Sequence, residues 1–212
     1  MSLAAWRRST MRRSRTWRVA VATALIGSAV AAAATPAADG CDAHQRVSGP
    51  GKPVKGRPPL VIGDSVLLGA AARVARAGFE VDAKGCRQMA QGLSLLRSRR
   101  RAGTLPCLVV VALGTNASVV KADIRAALRI VGTRRTLALV TPRETGGVSG
   151  RDAGVVRAAG RRHPRRIMVL DWVRVSAARS GWFAADGIHL GVAGARGMVR
   201  LLRRALAPAC PA

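Results

Sequence analysis

The fold of this chain is decided by the stretch PLVIGDSVLLGAAARVARAG, residues 59–78. Residues 59–63 are a nearly continuous apolar run, which is typical of a strand buried on both faces. Residues 66–78 carry aliphatic side chains three and four positions apart and end on Gly, as an amphipathic helix does. The stretch therefore predicts a buried strand that passes through a short GDS turn (63–65) into a helix.

The same alternation recurs along the rest of the chain. Further apolar runs occupy residues 79–83, 107–114, 136–141 and 166–172, and amphipathic segments occupy residues 87–103, 118–132, 150–164 and 191–208. Strict alternation of strands and helices implies a parallel sheet with right-handed crossovers and helices on both faces. We predict a three-layer α/β/α domain with a five-stranded parallel sheet in the flavodoxin-like order 2-1-3-4-5.

The segment before this domain has the pattern of an export signal. Six arginines between residues 7 and 18 precede an Ala-rich apolar stretch, residues 19–34, that ends in small residues. We expect residues 1–38 to be a signal peptide, residues 39–58 an extended Gly/Pro-rich strap, and residues 59–212 the globular domain. The expected location is secreted or extracytoplasmic, with no stable membrane span after cleavage; a retained anchor is the alternative.

The formal net charge of the chain is +26 at pH 7, which favours an anionic partner. Nucleic acid is not the expected one, because aromatic residues make up 3% of the chain and Tyr is absent, so platforms for base stacking are scarce. The arginines are dispersed along every segment. An anionic polymer of the cell envelope remains the candidate partner.

Functional sites in parallel sheets form at the carboxyl ends of the strands. Four segments directly follow the first four predicted strands, and a fifth comes later in the chain, after the last predicted strand. All five should therefore share one face of the domain. They are GDS (63–65), KGCRQ (84–88), GTN (114–116), PRETGG (142–147) and DGIHL (186–190).

These loops hold the residues for nucleophilic catalysis by a serine. Ser65 lies at the first strand-to-helix turn, and a serine hydroxyl becomes a useful nucleophile when a base takes its proton. His44 lies in the polar strap and His163 at an Arg-rich helix end, which leaves His189 as the base. Asp186, three residues before His189, is placed to orient the imidazole and stabilise its charged form.

Donors for a tetrahedral oxyanion are also available at this face. The candidates are the side-chain amide of Asn116 and the backbone N–H groups of Ser65, Gly85 and Cys86.

Five further residues are candidates for binding substrate. Trp172, Trp182 and Phe183 are candidate walls. Arg87 and Arg143 lie in loops that could reach a ligand, although a plain turn and helix entry explain both positions equally well. No metal site and no cofactor are expected, because the chain has few histidines and acidic residues beyond those already assigned.

Three of these motifs resemble a known family. IGDSVLLG, GTN and DGIHL resemble blocks I, III and V of the SGNH, or GDSL-like, hydrolases, and the likeness spans residues 60–206. VDAKGCRQ, VVVALGTN, VLDW and WFAADGIHL are most similar to the SGNH domains of peptidoglycan O-acetyltransferases and their stand-alone secreted relatives. The resemblance implies the roles already assigned to Ser65, Asn116, Asp186 and His189.

The sequence departs from the family pattern in two respects. Cys86 stands where the second block has Gly or Ser before RQ, and the membrane acyltransferase module of the fused O-acetyltransferases is missing. We therefore expect a secreted serine esterase that hydrolyses short-chain esters, above all O-acetyl groups, on cell-envelope glycans. The alternatives are an O-acetyltransferase that works with a separate membrane donor protein, and a non-catalytic protein that binds the cell wall or a polyanion.

The four cysteines of an exported chain suggest two disulfides. Cys86 follows the second predicted strand at the site face, whereas Cys107 and Cys210 lie toward the opposite end of the sheet, too far for a bond to Cys86. The expected pairs are Cys41–Cys86 and Cys107–Cys210. A nucleophilic Cys86 is the functional alternative.

Overall fold

The described part of the chain, residues 40–49, 57–144 and 150–206 of the computed structural model, contains one sheet of six strands. The strands are β1 (His44–Ser48), β2 (Leu60–Gly63), β3 (Glu80–Lys84), β4 (Leu108–Ala112), β5 (Thr136–Val140) and β6 (Ile167–Leu170). Their order across the sheet is β1-β3-β2-β4-β5-β6. Strands β2 to β6 pair in parallel, which confirms the predicted five-stranded parallel arrangement and its order.

The sixth strand was not predicted. β1 comes from the segment expected to be an extended strap outside the sheet, and it pairs antiparallel with β3, with His44 opposite Lys84 and Ser48 opposite Glu80. Four of its five residues are exposed, so it lacks the apolar run that marks the other strands. Backbone hydrogen bonds hold it at the edge, and almost any sequence can supply these.

Seven helices cover the two faces of the sheet in the described residues. They are α1 (Ser65–Leu68), α2 (Ala71–Arg76), α3 (Met89–Arg101), α4 (Lys121–Val131), α5 (Arg151–Arg162), α6 (Trp172–Ser176) and α7 (Val192–Arg203). One core cluster joins α1, α2, α6 and α7 to one face, and a second joins α3, α4 and α5 to the other. The predicted three-layer architecture is confirmed.

The helix predicted over residues 66–78 is interrupted. α1 has only four residues and ends at Leu68, before Gly69, and α2 begins at Ala71. The Asp64 side chain caps α1 by accepting a hydrogen bond from the Val66 N–H at 3.0 Å. The interruption keeps the GDS turn as a short, separate unit at the end of β2.

The Cys41–Cys86 disulfide is present, with Cα atoms 4.8 Å apart, as predicted. It rules out the alternative of a nucleophilic Cys86, because the sulfur is held in a covalent bond. Cys107 is also disulfide-bonded, whereas its predicted partner Cys210 lies outside the described residues. The predicted signal peptide and residues 145–147 of the PRETGG segment lie outside them too.

Nowhere in residues 40–49, 57–144 and 150–206 is a helix both long enough and apolar enough to cross a membrane.

Candidate active site

Ser65 is the first residue of α1 and follows the end of β2 by two positions. In the sheet β2 lies between β3 and β4, with Gly63 opposite Ala83 on one side and Ala112 on the other. The loops that follow these two neighbouring strands therefore flank Ser65. Parallel pairing has brought three of the predicted site segments to one edge.

Ser65, His189 and Asp186 form a continuous hydrogen-bonded chain. The Ser65 Oγ lies 3.0 Å from the His189 Nε2, and the His189 Nδ1 lies 2.6 Å from the Asp186 Oδ2. With the ring proton on Nδ1, His189 donates to the carboxylate and its Nε2 accepts from the serine hydroxyl. The residues that the sequence assigned to nucleophile, base and orienting acid are therefore in contact in the assigned order.

The loop between Asp186 and His189 is held by the carboxylate itself. The Asp186 Oδ1 accepts hydrogen bonds from the backbone N–H groups of Ile188 at 2.8 Å and His189 at 2.9 Å. Burial raises the pKa of Asp186, but the hydrogen bonds from the His189 ring and from these two N–H groups outweigh it and lower the pKa to about 2. Asp186 is therefore ionised at every pH at which the protein would work.

Asp64, immediately before Ser65, has the opposite electrostatic character. Its side chain is buried, and desolvation raises the pKa to about 6, although hydrogen bonds from the Val66 and Thr115 backbone N–H groups and the nearby His189 act to lower it. Asp64 does not take part in the hydrogen-bonded chain of Ser65, His189 and Asp186. It caps α1 and fixes the turn that presents the serine.

The loop after β3 brings Cys86 toward the site. Cys86 is the one non-glycine residue of the described chain with a positive φ, 52°. The Gly85 N–H donates to the Ala43 carbonyl at 2.8 Å and so is not available to a substrate, which removes Gly85 from the predicted oxyanion donors. The Cys86 N–H donates no hydrogen bond to another described residue, and it remains the backbone donor of this loop.

Asn116 lies in the loop after β4, four positions beyond Ala112, and is exposed. Because β4 neighbours β2, this loop borders the Ser65 turn. Asn116 therefore stays a predicted donor to the oxyanion.

Arg87 does not line the substrate site, contrary to expectation. It is 5% exposed and donates to the Gly63 carbonyl at 3.1 Å and to both the carbonyl and the carboxylate of Asp82, at 2.5 and 2.7 Å. The completely buried Asp82 also contacts His44 at 2.9 Å and Arg46 at 3.0 Å. Arg87 therefore supports the site by joining β3 and β1 to the end of β2.

Arg143 lies on the loop after β5 and contacts the loop of Asp186 and His189. It donates from Nε to the Gly187 carbonyl at 3.0 Å and from Nη1 to the Ser176 Oγ at 3.2 Å, and its guanidinium stands 4.2 Å from the centre of the Phe183 ring. Burial lowers the pKa of Arg143. The Arg143 guanidinium is therefore used to hold that loop in place and is not free to bind substrate.

Trp182 and Phe183 are half-buried and anchor the same loop. Both rings pack on Trp172, with centroids 5.6 and 5.9 Å away. A Cβ at Gly197 of α7 would overlap the Trp182 ring, so this glycine is what allows the ring to lie against the helix. The sequence offered all three aromatic residues as walls of the site, but Trp172 is buried and joins the other two rings to the core.

Within the described ranges, no three His, Cys, Asp or Glu side chains gather in a group that could hold a metal ion.

No family model matches the chain. Over 152 residues, 70% of this chain, the sequence is 29% identical to the O-acetyltransferase OatA of Staphylococcus aureus (strain NCTC 8325 / PS 47). The match covers 25% of that protein, so the chain spans about a quarter of the length of the curated relatives it matches.

Two solved structures illustrate the similarity of fold. The C-terminal catalytic domain of Streptococcus pneumoniae peptidoglycan O-acetyltransferase A (OatA), solved with a methylsulfonyl adduct, has a TM-score of 0.62 and 24% identity, covering 78% of this chain and 96% of that one. A GDSL-like lipase from Bacteroides thetaiotaomicron VPI-5482 has a TM-score of 0.55 and 16% identity, covering 73% and 90%. These matches confirm the predicted resemblance: the chain has the fold of the SGNH/GDSL hydrolases.

Proposed function

We propose that this protein is a serine esterase that cleaves short-chain esters, above all O-acetyl groups on cell-envelope glycans. The observation that carries the proposal is the chain of contacts from Ser65 through His189 to Asp186, 3.0 and 2.6 Å long, at the carboxyl edge of the sheet. This is the geometry in which a base activates a serine and a carboxylate orients the base.

In the first half of the proposed reaction, the Ser65 Oγ attacks the ester carbonyl while the His189 Nε2 takes the hydroxyl proton. The oxyanion receives hydrogen bonds from the Cys86 N–H, the Ser65 N–H and the Asn116 amide. His189 then passes its proton to the departing sugar oxygen, and the acyl group remains on Ser65.

In the second half, water attacks the acyl-serine and gives its proton to the His189 Nε2. The tetrahedral intermediate collapses, the carboxylic acid leaves, and Ser65 recovers its proton from His189. Asp186 stays ionised throughout, because its pKa is about 2, and stabilises each imidazolium that forms.

The preference for a short acyl group is supported by the loops that border Ser65, which carry few large apolar side chains to hold a long acyl chain. Their aromatic residues Trp182 and Phe183 pack on the buried Trp172, with ring centroids 5.6 and 5.9 Å away.

The proposal is tested with p-nitrophenyl esters of increasing chain length and with a sulfonyl fluoride. We expect acetate to be the best ester and Ser65 to be sulfonylated, with both hydrolysis and labelling lost in Ser65→Ala. Ser98→Ala, an exposed serine on α3, is the matched control and should behave like the wild type. Absence of labelling in the oxidised, folded protein would contradict the proposal and favour a non-catalytic binding protein.

Acetyl transfer is the second candidate, because the relatives by sequence and by structure are named as O-acetyltransferases. The site is open enough for a sugar hydroxyl to replace water, since the side chains of His189 and Asp186 are 48% and 46% exposed. With p-nitrophenyl acetate as donor and chito-oligosaccharides as acceptor, the ratio of acetylated sugar to free acetate separates the two activities. A ratio that rises with acceptor concentration would favour transfer.

We further propose that the protein acts outside the cytoplasm after removal of residues 1–38. The Cys41–Cys86 disulfide supports this location, because disulfides persist in oxidising compartments. N-terminal sequencing of the exported protein tests the cleavage, and an intact N-terminus would favour a retained anchor.

A further inference from the structure

Helices α2 and α7 border a groove of about 350 Å³ on one face of the domain. Its floor is formed by Ala77 and Val199. Five arginines line it: Arg73 and Arg76 from α2, and Arg196, Arg200 and Arg203 from α7.

Among the residues that the structure describes, these arginines have no neutralising carboxylates. Neither α2 nor α7 contains an Asp or Glu, and in the described part of the chain none of the five forms an ion pair. Other arginines, such as Arg87 and Arg157, are paired with Asp82 and Asp171. The groove therefore concentrates positive charge that no described carboxylate neutralises.

We propose that this groove binds an anionic polysaccharide through carboxylates spaced along its chain. Arg196 and Arg203 are seven residues apart on α7, which corresponds to about 10 Å along a helix, so a single small anion cannot contact the whole row. Guanidinium groups bind carboxylates through paired hydrogen bonds. The lining of the groove has no aromatic side chains on which nucleobases could stack and no amide side chains that could read their edges. A glycan therefore fits the groove better than a nucleic acid does.

The groove adjoins the loop of the proposed active site. α7 begins at Val192, three positions after His189, and the Arg200 guanidinium lies 5.6 Å from the centre of the Trp182 ring. A glycan held along α7 would thus have its neighbouring sugars close to Ser65. This orientation rests on the proposed esterase function, whereas binding in the groove does not.

The test compares two triple variants with equal loss of charge. Arg76→Gln, Arg196→Gln and Arg203→Gln are combined in the groove variant; Arg125→Gln, Arg129→Gln and Arg162→Gln, exposed arginines of α4 and α5 on the opposite face, are combined in the control. The probe is polygalacturonate, with neutral dextran as the blank. Binding is measured in a Ser65→Ala background, so it does not depend on catalysis, and thermal melting checks that each variant is folded.

We expect the groove variant to bind polygalacturonate about tenfold more weakly or worse, and the control to stay within about threefold of the parent. Binding should weaken as the salt concentration rises. Equal losses in the two variants would show that net charge alone attracts the polymer and would overturn the proposal. Tighter binding to duplex DNA or to anionic vesicles than to polygalacturonate, abolished by the same groove substitutions, would overturn the choice of a glycan.

Discussion

The Arg143 guanidinium donates a hydrogen bond to the carbonyl oxygen of Gly187, the residue between Asp186 and Ile188, at 3.0 Å. The loop after β5 is thereby fastened to the loop that carries the carboxylate and the imidazole. The position of His189 relative to Ser65 thus depends on a residue that the reaction itself does not use.

Replacing Arg143 by Ala should lower kcat for p-nitrophenyl acetate by roughly 10- to 100-fold, because small displacements of catalytic groups cost about that much. KM should change far less. Arg161→Ala, an exposed arginine at the end of α5, is the control. A rise in KM with an unchanged kcat would instead support direct substrate binding by Arg143.

Asp186→Asn should lower kcat by about 10³- to 10⁴-fold, since an amide orients the imidazole in the wrong tautomer. The hydrogen bond that the His189 Nδ1 donates to the Asp186 Oδ2 at 2.6 Å is the contact that is reversed, because the amide nitrogen of Asn would donate to the ring. The kcat of the purified variant is to be compared with that of Ser65→Ala, which gives the background. Activity near that of the wild type would mean that Asp186 is not the partner of the base.

The Cys41–Cys86 disulfide should affect both stability and kcat. It closes a loop across 45 positions, and the loop-closure model gives it roughly 4 kcal/mol of stabilisation. It also ties Cys86, whose φ is 52°, to the segment before β1.

Two variants without this bond separate the two effects. Cys41→Ser/Cys86→Ser should lose stability and most of the activity, because a serine disfavours the positive φ. Cys41→Ser/Cys86→Gly should lose similar stability but retain more activity, because glycine adopts that φ readily. Unfolding in urea and kcat below the melting temperature are the measurements. Equal activity in the two variants would contradict a role for the backbone conformation of Cys86.

Asp64 should make the protein less stable as pH rises. Its pKa in the folded protein is about 6, above the ordinary value of 3.8, so its contribution to stability is complete below pH 3.8 and is lost as pH rises through about 6. The loss corresponds to about 3 kcal/mol. The Asn side chain of Asp64→Asn cannot ionise, and its amide oxygen can still cap α1. The free energy of unfolding of this variant, measured in urea relative to that of the wild type, should therefore increase by about 3 kcal/mol between about pH 4 and pH 7. A difference in unfolding free energy that stays constant with pH would contradict this.

The apolar runs of the buried strands made two features predictable. These are the parallel sheet and the hydrogen-bonded chain of Ser65, His189 and Asp186. Runs such as LVVVA (108–112) are apolar at nearly every position, which only burial on both faces explains. Once the strands are placed, their carboxyl ends bring Ser65, Asn116 and the later loops to one edge.

The supports of the site could not be predicted in the same way. β1 has no apolar pattern, and its pairing with β3 depends on backbone groups that the sequence does not distinguish. Arg87 was assigned to substrate because it lies in a loop that follows a predicted strand. Its burial depends on Asp82, a carboxylate inside β3 that is also contacted by His44 and Arg46 of β1.

The short β1 strand also determines how the sheet ends. An open strand edge offers unpaired backbone groups to other chains and promotes aggregation. Here β1 lies along the outer side of β3 and carries Arg46, whose side chain is 59% exposed although it contacts Asp82. A second molecule approaching edge to edge would meet this cationic side chain, so we expect the strand that braces the candidate site also to disfavour edge-to-edge pairing of two copies.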